Sequence, residues 1–265
     1  MGKVFRPAAL RGRLFFVSAV FALRIAASAA AMPDAARPSS PPSSLGPIKA
    51  VVLDMDGVTT PNSGALWTQL GQEFLRGVAP RWAEGDLRHI KWKSLPDVHG
   101  WIVQNRGAQL SYADYVHRRE ALAAFIYGEL AELEPTFLET WDVLKARGVP
   151  MALASANTRF SVDSMLRRFH LERKFDAAAS SDELAPDEAR HGKSQTHLLA
   201  CRRLGAPPHQ SLAVEDTSAG IEAAKKAGMI AVGFRNGFND HEDFSSAHLV
   251  IRRLREIHVL FGGTL

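Results

Sequence analysis

The sequence predicts an α/β protein: a doubly wound parallel sheet with a helical cap inserted after the first strand. Three observations carry that expectation. Short apolar runs alternate with amphipathic helical patterns from Lys49 onward; one connection is far too long for that alternation; and this connection holds four of the five tryptophans.

The first 48 residues stand apart. They carry Lys3, Arg6, Arg11, Arg13, Arg24 and Arg37 against the single acid Asp34, a net +5, which leaves −1 for the rest of a chain whose total is +4. The basic charge therefore belongs to the leader, and the globular part makes no electrostatic case for nucleic acid. Residues 14–23, "LFFVSAVFAL", are too short to span a bilayer before Arg24 interrupts them, so no stable membrane anchor is expected. Basic, rich in Ala and Ser and nearly free of acids, the leader reads as a transit peptide for an organelle, the mitochondrion first. A secretory signal, or an unaddressed extension that leaves the protein in the cytoplasm, is the alternative. Arg6 stands where a myristoylation signal after Gly2 needs Ser or Thr. "PDAARPSSPPSSLGP", residues 33–47, is dense in Pro and Ser and reads as a linker.

At 265 residues, with 46% hydrophobic and 23% charged, the chain has enough apolar material for a substantial core. Expected strands are "KAVVLDM", "PMALAS", "DAAAS", "SLAVED", "IAVGF" and "HLVI". Between them lie helical patterns such as "FSVDSMLRRFHL", "THLLACRRLG", "AGIEAAKKAG" and "IRRLREIHVLF". Alternation of this kind implies parallel strands covered on both faces. Between Thr60 and Glu134 the strand signal vanishes and helical stretches replace it, notably "SGALWTQLGQEFL" and "SYADYVHRREALAAFIYGELAEL". Trp67, Trp82, Trp92 and Trp101 fall there, as expected of an insert with its own small core. The expected organisation is a core domain of residues 49–62 and 133–265, with a cap of 63–132. Cys201, the single cysteine, excludes an internal disulfide and reads as a buried apolar residue.

Ligands of open parallel sheets bind beyond the carboxyl ends of the strands, so polar residues there bear closest reading. Asp54 and Asp56 close the first strand, Ser155 and Asn157 the second, and Glu215 with Asp216 the fourth; Lys193 lies in the region between. Four carboxylates converging at one sheet end repel unless a cation neutralises them, and an all-oxygen set suits Mg²⁺. With a lysine and a serine beside it, such a set meets the needs of phosphoryl transfer through an aspartyl-phosphate. Gly57 permits a sharp turn after Asp56, so that both aspartates can reach one phosphorus.

At these residues the sequence resembles the haloacid dehalogenase superfamily, whose first motif is DxDG at the end of the first strand. "DMDG" spans Asp54 to Gly57, "LASAN" matches the second motif, "HGKSQ" offers Lys193 for the third, and "AVEDTSAGIEAAKKAGM" matches the fourth. The likeness runs from residue 49 to about 260 and implies a Rossmann-like sheet. It also implies that Asp54 attacks phosphorus, that Asp56 serves as acid and then base, and that Ser155 and Lys193 hold the phosphoryl oxygens. Gly57, Ala156 and Asn157 would line the phosphate site, while Asp54, the Asp56 carbonyl, Glu215 and Asp216 would surround Mg²⁺. The doubled acid and the position of the insert look like the subgroup of capped small-molecule phosphatases and β-phosphoglucomutase-like enzymes.

Three departures stand out. Ser194 follows Lys193 where the family has Pro, leaving Arg190 as an alternative cation; Pro61-Asn62 replaces the usual acid or hydroxyl pair; and Leu66 occupies the approximate place of a cap histidine associated with mutases, which favours hydrolysis. In the insert, "RHIKWKS" supplies His89, Lys91 and Lys93, and Lys93 is the candidate contact to substrate, with a solvated basic surface as its alternative. His99, His117, His191 and the other histidines lack metal-ligand spacing and read as surface or capping residues. The expected activity is Mg²⁺-dependent hydrolysis of a small phosphorylated metabolite; a sugar phosphomutase or a non-catalytic binding protein of the same fold is the alternative.

Overall fold

Six apolar runs form one parallel sheet in a computed structural model that describes residues 47–90 and 93–261. The expected leader and linker, apart from Pro47 and Ile48, lie outside the described residues, as do Lys91 and Trp92. The strands are β1 (Ala50–Asp54), β2 (Met151–Ser155), β3 (Ala177–Ser180), β4 (Ser211–Glu215), β5 (Ile230–Phe234) and β6 (Leu249–Ile251), in the order β3-β2-β1-β4-β5-β6. Every residue of β1, β2, β4 and β5 is buried, which requires cover on both faces and explains runs without polar alternation. Burying a side chain such as Leu53 or Val214 contributes about 1.5–3 kcal/mol.

Central β1 pairs with β2 on one side and β4 on the other, with Asp54 opposite Ala154 and Leu53 opposite Val214. The strand order reverses there, and the side chains ending β1, β2 and β4 are brought to one edge. The chain leaves β1 into α1 (Ser63–Val78), a helical turn at Leu87–Ile90, α2 (Leu95–Arg106) and α3 (Tyr112–Phe125) before α4 (Phe137–Ala146) leads into β2. Helices α5 (Arg159–Phe169), α6 (Lys193–Leu204) and α7 (Ser218–Lys226) connect the later strands.

Leu75, Ala79, Trp82, Val98, Ile102, Ala108 and Tyr115 form an apolar cluster within the helical insert, with Trp101 packed against it. Trp67 is not among them; its indole lies near the sheet, bonded to Tyr127. The core cluster under α6 and α7 includes Val52, Ala152, Cys201, Ala213 and Ile221, so Cys201 is the buried apolar residue its helical position predicts.

Two helical expectations end differently. The pattern through Leu133 stays α-helical only to Phe125, loosens into a π turn over Ile126–Leu130, and becomes extended at Ala131, whose N–H meets the Ile126 carbonyl at 2.7 Å. The terminal "RRLREIHVLF" winds as a 3₁₀ run over Leu254–Phe261, entered where Glu256 Oε1 accepts the Arg252 and Arg253 N–H groups. Among the described residues no helix is long and apolar enough to cross a membrane.

Candidate active site

Asp54, the last residue of β1, accepts the Met55 N–H at Oδ1 (2.7 Å) and meets Lys193 Nζ at Oδ2 (2.5 Å). The turn that follows is short because Thr59 returns both its N–H (3.2 Å) and its hydroxyl (2.7 Å) to the Asp54 carbonyl. Gly57 makes this turn at φ +79°, and a Cβ there would stand 1.8 Å from Asp216 Oδ2. Glycine is thus required twice, by backbone conformation and by the approach of a carboxylate.

Strand β4 ends on Glu215, fully buried, and Asp216 follows. Local sequence makes room for both: Thr217 caps α7 by accepting the Gly220 N–H at 3.0 Å, and a Cβ on Gly220 would lie 2.0 Å from Glu215 Oε2. Lys193 is the first residue of α6, entered through Gly192 at φ +68°, and its Nζ also meets Glu215 Oε2 at 2.7 Å. Lys193 is therefore the cation brought to the carboxylates, whereas Arg190 is exposed. The Ser after Lys193 does no harm to the motif: Ser194 bonds back to the His191 carbonyl at 3.0 Å and leaves the lysine at the helix start.

Ligand oxygens of Asp54, Glu215 and Asp216 all lie within 4.8 Å of one another. Burial, and then the charge of Glu215, push Asp54 well above the ordinary carboxylate range, and burial carries Asp216 up to about 7. Burial acts upward on Glu215 too, but Lys193 and His197 outweigh it and hold the carboxylate low. Lys193 stays above its ordinary value despite burial, because Asp54 and Glu215 flank it. One ammonium faces three carboxylates, and among the described residues Glu215 Oε1 has no bond of good geometry, His197 Nε2 standing 3.0 Å away. An all-oxygen set whose charge a single lysine does not balance fits a hard divalent cation such as Mg²⁺.

Asp56 points elsewhere. Its Oδ1 accepts from Ser63 Oγ (2.5 Å) and Tyr127 Oη (2.8 Å), and its Oδ2 accepts from Asn157 Nδ2. Burial raises its pKa, the three donors working against that rise. Ser155, buried at the end of β2, accepts the Asn157 N–H at 3.1 Å, and the loop is braced by Ser181 Oγ on the Ala156 carbonyl (2.8 Å). Ala156 itself is exposed just before α5, at the helix's positive end.

Lys93 is exposed and is not brought to these groups, and His89 stacks on Trp101 at 5.2 Å. Pro61 and Asn62 hold the entry to the insert: Asn62 accepts the Glu132 N–H at 3.0 Å and donates to the Leu130 carbonyl at 3.1 Å, tying the outgoing chain to the returning one.

One expectation needs correction. Surface or capping positions are expected for the histidines, but His258 is buried and His197 fully so, its Nε2 3.0 Å from Glu215 Oε1 and outside hydrogen-bond geometry. Its place one helical turn after Lys193 was the available signal. Tyr127 and the loop after β5 escaped sequence reasoning as well. Asn236 Nδ2 bridges the Gly57 carbonyl (2.9 Å) and Asp216 Oδ2 (3.1 Å), and Asn239 Nδ2 holds the Asp216 carbonyl at 2.7 Å.

A parallel α/β sheet whose first and fourth strands end in a lysine-bridged carboxylate cluster defines a class, and the sequence falls within it. The family model for haloacid dehalogenase-like hydrolase matches residues 48–228, and the chain belongs to that family. It is 30% identical over 240 residues to phosphoglycolate phosphatase of Escherichia coli, covering 81% of this chain and 93% of the relative. To a phosphorylated carbohydrates phosphatase of Thermotoga maritima it is 26% identical over 198 residues, 73% of this chain and 88% of the relative. Among solved structures, CbbY of Rhodobacter sphaeroides in complex with phosphate superposes with a TM-score of 0.65 at 22% identity, covering 79% of this chain and 96% of that one. A mutant of the same CbbY in complex with xylulose-(1,5)bisphosphate gives the same values.

Proposed function

We propose that the chain is a Mg²⁺-dependent phosphatase that hydrolyses a small phosphomonoester through an aspartyl-phosphate on Asp54. The observation that carries this reading is the division of labour between two aspartates two residues apart: Asp54 sits against Lys193 in the carboxylate cluster, while Asp56 is held apart by three hydrogen-bond donors.

In this reading Asp54 attacks phosphorus, the bond to the ester oxygen breaks, and Asp56 gives that oxygen its proton. Burial favours the protonated form of Asp56 that this step needs. Asp56, now a carboxylate, takes a proton from water, which attacks the phosphorus and frees phosphate and Asp54. Lys193 offsets the negative charge gathered around Asp54, and Ser155 with the N–H groups opening α5 holds phosphoryl oxygens. Asp54, the Asp56 carbonyl, Glu215 and Asp216 would hold Mg²⁺, which when bound neutralises charge on the transferring group. Gly57, Ala156 and Asn157 line the phosphate site, and Lys93 is the insert's candidate contact to the rest of the substrate.

Relatives named for phosphorylated carbohydrates and phosphoglycolate support a small metabolite as substrate. Leu66, which is buried, offers no polar group in place of a mutase histidine, and a mere binding protein has no use for Asp56. Phosphate release from a panel of phosphorylated metabolites tests the reading, and product analysis with a hexose 1-phosphate separates hydrolysis from mutase activity. A chain that binds such esters without releasing phosphate would overturn it.

A further inference from the structure

We infer that Tyr127 is the positioning residue for the Asp56 carboxyl, acting from the returning end of the helical insert. This rests on the phosphatase reading above. The Tyr127 side chain is fully buried, and its phenolic oxygen meets three polar groups: Trp67 Nε1 at 2.8 Å, Asn157 Nδ2 at 3.2 Å and Asp56 Oδ1 at 2.8 Å. The first two are N–H donors, so they occupy the oxygen's lone pairs. The one phenolic hydrogen is then directed at Asp56.

The arrangement ties Asp56 to both ends of the insert. Ser63 and Trp67 belong to the first two turns of α1, where the chain leaves the sheet; Tyr127 belongs to the π turn that brings it back. Arg119 lies over the Trp67 ring, 4.3 Å from its centroid, and closes the outer side of this cluster. Of the donors to Asp56, Ser63 is the less committed, because its hydroxyl also stands 2.8 Å from both the Thr60 carbonyl and Thr60 Oγ1. Asn157 has two amide hydrogens and gives one to Asp56 Oδ2 and the other to Tyr127. At Oδ1, among the described residues, Tyr127 is the donor whose hydrogen has no competing acceptor. Losing it leaves Oδ1 to the divided Ser63 hydroxyl and loosens the carboxyl's hold beside the ester oxygen, and small misplacements of a catalytic group are costly in rate.

The consequence is specific to the proton-transfer step. An alkyl phosphate expels a poor leaving group that needs a proton, whereas p-nitrophenolate departs without one. Tyr127→Phe keeps the ring and removes only the hydroxyl. We expect it to lower kcat/KM for glycerol 2-phosphate so that the ratio of p-nitrophenyl phosphate to glycerol 2-phosphate rises on the order of tenfold. Trp67→Phe removes the N–H that orients the phenol and should raise the same ratio by about threefold; it decides the matter if Tyr127→Phe does not fold. An unchanged ratio in the folded variants, whether both esters slow equally or neither slows, would reduce Tyr127 to a packing residue and overturn the inference. A wild-type chain that releases phosphate from neither ester and from no metabolite of the panel would overturn the phosphatase reading itself, and the inference with it.

Discussion

Gly57 and Asp216, far apart in sequence, approach so closely that a Cβ on the glycine would overlap Asp216 Oδ2 at 1.8 Å. The carboxylate has little room to retreat, because Asn236 Nδ2 holds the same oxygen at 3.1 Å. Gly57→Ala should therefore expel Asp216 from the cluster. An L-residue at φ +79° adds about 1–2 kcal/mol of backbone strain. Half-saturation by Mg²⁺ should rise at least about tenfold, the size of effect seen when groups that orient ligands are lost. Unchanged Mg²⁺ dependence in the folded variant would remove Asp216 from the ligand set.

Asp54→Asn should abolish turnover and leave the fold intact, since the amide keeps the shape but not the nucleophile. More than a few per cent of wild-type rate, on the order of what contaminating activity explains, would contradict the covalent route. The same change should raise the melting temperature in EDTA at neutral pH, because burial beside Glu215 disfavours the Asp54 carboxylate in the folded chain.

Metal and pH should act together on stability. Folding raises the pKa of Asp216 from an ordinary 3.8 to about 7, so its contribution is fully present below 3.8 and is lost as pH rises through about 7. A divalent cation offsets that loss by favouring the carboxylate. The rise in melting temperature on adding Mg²⁺ should accordingly be larger near pH 8 than near pH 5. A rise independent of pH would sink the assignment.

Lys193 and Arg190 can be told apart directly. Lys193→Met leaves the crowded carboxylates without their ammonium and should cost at least about tenfold in kcat, one strong charge-assisted contact. Arg190→Ala, at an exposed position, should match wild type. His197→Ala removes the ring beside Glu215 Oε1 and should weaken Mg²⁺ binding by about tenfold, read by titration calorimetry. Equal behaviour of Lys193→Met and Arg190→Ala would undo the placement of the cation.

The leader should be dispensable for chemistry, since its composition does not build a core. A chain beginning at Ser44 should fold and turn over like the full chain, while residues 1–48 fused to a fluorescent protein should travel to an organelle, the mitochondrion first. Fluorescence spread evenly through the cytosol would refute the targeting expectation; loss of activity on truncation would move the domain boundary.

By itself the sequence determined the succession of strands and helices along the chain and the polar residues that end β1, β2 and β4. These are local properties: unbroken apolar runs, amphipathic periods, and an acid followed by glycine. "DMDG" and "EDTSAG" announce strand ends because their glycines make room for neighbouring carboxylates. Tertiary structure alone decided what holds those carboxylates. Tyr127 lies 71 residues from Asp56, and Asn236 lies 179 from Gly57; both belong to stretches whose local pattern serves only a helix end or a loop. His197 follows Lys193 by one turn, but only the packing of α6 against β1, β2 and β3 makes that face meet Glu215 rather than solvent. Such partners are selected by strand order and by the path of the insert back to the sheet, and a window of a few residues carries no record of either.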